Sequence, residues 1–286
     1  MIFALLAAPA VTSGQTPDIT VTYERRHDPF TYRFENASRF DTTDLVPHFF
    51  EQHYRGDNNW LRATVRVRAG GVVLDTLGAI STPVVTYGDD FDTFFQPGGD
   101  VVVSGTSGDV SLRSWRVRQR VFLPAGRRLG FHLGYSLTRD RARFHAGNKV
   151  TTHTHPPSIE RSVVTTRETT WSEVHEVQFG VEPDLRRGKW RVAVRAAGGT
   201  GVARLTVQLP DKYPGVDLRF PASIVSADLG VSAERRFGGL LAIAGADYAH
   251  TWSLHSHSRL QRRAVSVNVG VGWRRDRPPA PTSGVP

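Results

Sequence analysis

At 286 residues, 39% hydrophobic and 22% charged, the chain has material for one large domain or two small ones. No run of eighteen apolar residues occurs, which excludes a helical membrane span but not a strand-built one. There are no cysteines, so a disulfide scaffold and thiolate metal sites are excluded. The formal charge of +9 comes mostly from arginine. Those arginines are spread along the chain rather than gathered in one tail or helix, so nucleic acid is not an expected partner. A membrane surface with anionic head groups accounts for the same charge.

In chain order, residues 1–17 read as a signal peptide. An apolar stretch from Met1 to Ala10 precedes small and polar residues, although the basic n-region is missing. From Asp18 onward the hydrophobic pattern has period two, and no helical face emerges. The plainest case sets Leu129, Phe131, Leu133, Tyr135 and Leu137 against Gly130, His132, Gly134, Ser136 and Thr138. A second sets Leu61, Ala63, Val65 and Val67 against Arg62, Thr64, Arg66 and Arg68. A third sets Val265, Val267, Val269, Val271 and Trp273 against Ser266, Asn268, Gly270 and Gly272.

The pattern predicts strands over 18–36, 43–54, 60–84, 108–123, 129–140, 168–183, 189–209, 221–235, 240–251 and 261–274. Turn chemistry marks tight connections at Gly56–Asn59, Pro124–Arg128, Asp184–Gly188 and Arg235–Gly239. Longer polar connections are predicted near 87–107, 139–168, 210–218 and 252–260. Short and long connections alternate, as they do when short turns face the periplasm and long loops face outside. The expected fold is therefore all-β: a single closed antiparallel transmembrane β-barrel of about ten strands over 18–274, with apolar faces toward lipid.

Trp171, Trp190, Tyr135, Tyr248, Trp252 and Trp273 fall toward strand ends, as an aromatic girdle would. Residues 275–286 read as a disordered Pro-rich tail. Arg62, Arg66, Arg68, Arg191 and Arg195, opposite Glu176, Asp228 and Glu234, are expected to form an ionic network that fills the lumen, because buried charges pair.

Two groups of residues carry candidate chemistry. After the third strand, Asp90 and Asp92 stand two apart, on one side of an extended segment; such a pair can hold and polarise water. His153 and His155, and likewise His255 and His257, form H-x-H pairs that would serve as pincers for a metal ion.

The layout resembles the omptin family, ten-strand outer-membrane proteases with catalytic groups on the extracellular rim. Asp90-Phe-Asp92 stands where that family carries an Asp-x-Asp pair. The segments Asp109-Val-Ser-Leu-Arg-Ser-Trp115 and Gly134-Tyr-Ser-Leu-Thr-Arg-Asp140 sit where similar strands sit. Asp211-Lys-Tyr213 occupies the place of the family's Asp-x-His pair, and a phenol does not take a proton near neutral pH as an imidazole does. His250 and His255 are nearby candidates to replace it.

The resemblance implies a bacterial outer-membrane location with long loops outside, no cofactor, lipopolysaccharide as an activating lipid and surface partner, and an extracellular peptide or protein as target. The leading expectation is an omptin-like barrel that is catalytically divergent or surface-binding. The alternatives are an endopeptidase using Asp90, Asp92 and Asp211, and a small passive or ligand-binding barrel.

Overall fold

The computed structural model describes residues 17–35, 49–69, 71–95, 101–125, 128–154, 156–165, 168–208, 217–254 and 258–273. Strands follow one another as β1 (Asp18–His27), β2 (Phe30–Glu35), β3 (Phe49–Tyr54), β4 (Asp57–Ala69), β5 (Val72–Ser81), β6 (Val84–Phe95) and β7 (Val101–Pro124). They continue as β8 (Leu129–Thr154), β9 (Pro157–Val164), β10 (Thr169–Arg187), β11 (Trp190–Gln208), β12 (Asp217–Phe237), β13 (Leu240–Ser253) and β14 (Ser258–Trp273). All pairings are antiparallel. Four pairs of segments run end to end along one stave each: β1 with β2, β3 with β4, β5 with β6, and β9 with β10. The fourteen segments therefore make ten staves. The tenth, β14, pairs with both halves of the first and closes the barrel.

Connections at one end are short: 70–71, 125–128, 188–189 and 238–239. Gly188 and Gly238 take φ of 59° and 60°, the left-handed conformation that turn chemistry assigns to glycine in such hairpins. At the far end the connections are 36–48, 96–100, 155–156, 209–216 and 254–257.

Two local expectations are corrected. Gly56–Asn59 is not a hairpin. The chain passes straight through it from β3 to β4, and Asp28 donates its backbone N–H to the Gly56 carbonyl at 3.0 Å. A Cβ on Gly56 would lie 2.0 Å from the Asp28 carbonyl oxygen, so only glycine permits that approach. The hairpin lies instead at 70–71, inside the run expected to be one strand over 60–84. The connections expected over 87–107 and 139–168 are mostly strand, since β6, β7, β8 and β9 extend through them.

Near the short-turn end, the wall is inside out relative to a soluble protein. Val265, Val267, Val269 and Val271 face outward and are exposed, while Ser266 on the same strand is buried. Phe131, Leu133 and Tyr135 are exposed, while His132 and Ser136 are buried. Val21, Leu61, Val121, Val177, Phe179, Val194, Leu229 and Val231 continue the outer belt around the barrel. So large a continuous apolar surface belongs in lipid, and the polar interior is that of a transmembrane barrel. Trp190 and Trp273 lie at the short-turn rim of the belt, and Tyr135, Tyr248 and Trp252 toward its other rim.

Toward the far end the polarity reverses. On β8 the outward positions change from Leu133 and Tyr135 to Arg139, Arg141, Arg143 and His145, and the inward ones from Ser136 and Asp140 to Ala142 and Phe144. Side chains from eight strands meet inside as one buried apolar cluster that includes Phe30, Tyr54, Leu112, Phe144, Leu205 and Ile224. Above the membrane belt the barrel thus has an apolar core and a charged exterior, as a water-soluble barrel does.

Candidate functional sites

Asp90 and Asp92 lie on β6 itself, close to its far end. Their backbones are in register with Gln52 and Phe50 of β3 on one side, and with Thr106 and Ser104 of β7 on the other. They therefore stand on paired strand rather than in an open loop. Asp211 and Tyr213 lie outside the described residues, in the segment that joins β11 to β12 at the same end. His250 shares the outward side of β13 with Tyr248 and Trp252, its ring 4.8 Å from that of Trp252.

Of the histidine pairs, His153 sits on β8, in register with Val102 and Ser158. His155, His255 and His257 lie outside the described residues. Among the described residues, no three His, Asp or Glu side chains converge as metal ligands.

The lumen carries the ionic network expected of it, but with different partners. Arg62 donates to Glu24 at 2.7 Å and Arg66 to Asp75 at 3.0 Å. Arg195 reaches Asp247 at 2.7 Å. Arg191 bridges Asp184, Glu234 and Glu182 at 2.7, 2.9 and 3.2 Å. Of the expected pairings, Arg191 with Glu234 is the one that forms. Glu176 instead accepts from the hydroxyls of Ser136 and Ser226, and Asp228 accepts from Gln178 at 2.7 Å.

Where the wall changes polarity, a second set of charges is fully enclosed. Arg262 donates through Nε to Asp28 at 2.7 Å and through Nη1 to Asp140 at 2.8 Å. Arg26 donates to Asp28 at 2.6 Å. Arg262 also lies 5.6 Å from the centre of the Phe30 ring, so this ion cluster directly underlies the apolar one. The two layers occupy the lumen between the membrane-level interior, where Arg62, Arg66 and Arg195 form their ion pairs, and the far rim.

On the outer wall at this level stands a belt of arginines. Arg25, Arg113, Arg139, Arg141, Arg143, Arg204 and Arg263 all face outward and are exposed. Arg113 and Arg141 are register partners, and Arg141 lies 5.6 Å above the Trp171 ring. Arg139 has Glu173 at 3.6 Å. Among the described residues, Arg113, Arg141 and Arg143 have no carboxylate within ion-pair distance. On β8 the sequence shows Arg139, Arg141 and Arg143 on the same parity as Leu129–Leu137. Ending the predicted strand at residue 140 hid the continuity.

No family model matches the chain, and no curated protein matches it in sequence. Among solved structures, the outer membrane protease OmpT from Escherichia coli superimposes with a TM-score of 0.65 at 7% identity. The match covers 90% of this chain and 96% of that one. The translocator domain of the autotransporter NalP from Neisseria meningitidis matches at 10% identity and TM-score 0.36, over 90% of this chain and 88% of its own. The toluene transporter TodX of P. putida matches at 8% identity and TM-score 0.30, over 92% and 91%. At 7% identity the OmpT likeness is one of architecture: the chain has the fold of an outer-membrane β-barrel.

Proposed function

We propose that this protein is a bacterial outer-membrane barrel of omptin-like architecture that acts as a surface-binding protein. Its far end faces outside, and its outer arginine belt grips the phosphates of lipopolysaccharide. The observation that carries this reading is the belt itself. Arg113, Arg141 and Arg143 stand unpaired just above the lipid-facing surface, with Trp171 beneath one of them. That is the level of phosphorylated head groups, and guanidinium forks bind phosphate bidentately. The buried ion and apolar layers argue against a passive channel. The far-end connections are then the surface offered to an extracellular peptide or protein.

The test is binding of the refolded barrel to vesicles containing lipopolysaccharide with or without its phosphates. Replacing Arg113, Arg141 and Arg143 together by Ala is expected to weaken association at least tenfold. Equal binding to the dephosphorylated lipid would overturn the reading.

A second reading, an endopeptidase using Asp90, Asp92 and Asp211, draws support from the position of Asp90 and Asp92 near the far end of β6. Cleavage of peptides with basic residue pairs, lost in Asp90→Ala, is the expected result on that reading. A folded sample in lipopolysaccharide that cleaves none of them removes it.

A further inference from the structure

We propose that the lower chamber of the lumen, on the short-turn side of the buried ion cluster, is a binding site for a small oxyanion of the phosphate or sulfate class, centred on Arg118. Strand β7 sends Arg116, Arg118 and Arg120 inward at alternate positions. Arg116 donates to Thr138 at 3.0 Å and stacks against Trp60. Arg120 reaches Asp75 at 3.5 Å, but Asp75 is also the acceptor for Arg66, and Nε and Nη1 of Arg120 are buried without partners. Arg118 is buried, at 8% exposure, and its Nε has no hydrogen-bond partner. Among the described residues it makes no ion pair.

The charges around Arg118 include three of its own sign, Arg120, Arg195 and Arg62, with Asp75 and Asp247 the opposing carboxylates. The acids nearest those neighbours are already engaged, Glu24 and Asp247 by Arg62 and Arg195. An isolated buried guanidinium is costly, and like charges add to the cost. A tetrahedral oxyanion offers several acceptors to converging guanidinium donors and offsets both penalties.

Space for such an ion exists. Two of the cavities that Arg118 lines adjoin one another, one reaching Glu176 and Ser226, the other reaching Thr20, Arg191 and Glu234. Glycines make room for the arginines opposite: a Cβ on Gly134 would lie 2.7 Å from Cγ of Arg120, and one on Gly230 would lie 3.1 Å from Nη2 of Arg195. A third cavity, lined by Pro124, Arg128, Leu129 and Asp184, lies at the short-turn rim and shares Arg66, Glu182 and Arg191 with the second. The chamber is thus reached from the end opposite the outer arginine belt, and its ligand is independent of lipid binding there.

The experiment is titration of the refolded barrel in a neutral detergent with inorganic phosphate, followed by calorimetry and by broadening of the phosphate ³¹P resonance. Saturable binding is expected in the wild type, and Arg118→Gln is expected to weaken it at least tenfold. Removing an unpaired charge leaves the fold intact, which the heat-dependent gel mobility of the barrel verifies. Arg161→Gln, on the exposed strand β9 at the far end, is expected to bind as the wild type does. Binding that survives Arg118→Gln unchanged, or no saturable binding by the folded wild type, would overturn the proposal.

Discussion

The two halves of this barrel are made from the same staves with opposite polarity. In the membrane half, Val267 and Phe131 look out while Glu24, Asp75 and Arg120 look in. In the far half, Arg113 and Arg143 look out while Phe144 and Leu205 look in. The backbone ladder is continuous across the change, so strand geometry does not set the difference. The solvent does: lipid cannot hydrogen-bond a charge, so charges retreat to the lumen, whereas water lets apolar side chains collapse inward. The level at which β8 changes from Leu137 to Arg139 therefore marks the membrane boundary in the sequence.

The largest effect is expected where the halves meet. Asp28 is fully buried and accepts from both Arg26 and Arg262. Asp28→Ala leaves two buried guanidinium groups short of a counter-charge, and breaking such a cluster costs about 3–5 kcal/mol. Equilibrium urea unfolding in lipid vesicles measures it. A loss below about 1 kcal/mol, the range of solvent-exposed pairs, would show that this layer is open to water and that the halves are not separated there.

A paired substitution sharpens the boundary itself. Val269→Arg places a charge in the middle of the outer belt, between Tyr23 and Ala244 of the neighbouring strands, and is expected to cost about 2–4 kcal/mol. Val150→Arg, on the exposed far part of β8, is expected to stay within about 0.5 kcal/mol. Equal costs at the two positions would place both in the same solvent.

Alternation in Leu129–Leu137 and Val265–Trp273 made the fold legible, because period two is a local property that a barrel wall preserves. The hairpin at 70–71 carries its own signal, the turn dipeptide Gly70-Gly71, but the alternating Val-Arg-Val-Arg-Ala before it and Val-Val-Leu after it read as one uninterrupted strand. Gly56-Asp-Asn-Asn59 carries turn residues but serves a close crossing with Asp28. Lumen partners were legible only as a class. Arg262 and Asp28 are 234 residues apart, and closure of the barrel, not any local pattern, brings them together. The far half was missed because charged residues such as Arg139 and Arg141 read as loop. A stave that leaves the membrane and stays a strand shows the same composition. Of the candidate site, Asp90 and Asp92 were legible in the sequence as two acidic residues of one parity. That they stand on strand rather than loop depends on β3 and β7 flanking them.

The smallest expected effect tests whether the outer belt contacts lipid or only water. Arg139 is half exposed and pairs with Glu173 at 3.6 Å. A pair of that kind in water contributes about 0.2–1 kcal/mol, so Arg139→Ala is expected to lose no more than that in a neutral detergent. If the belt lies against anionic head groups, the same substitution loses about 1 kcal/mol more in vesicles rich in anionic lipid, because each arginine near such a surface gains roughly that much. The difference between the two media is therefore the informative quantity. A difference near zero, at low salt where the surface potential is least screened, would place the belt clear of the membrane and leave the change of polarity as a device for folding alone.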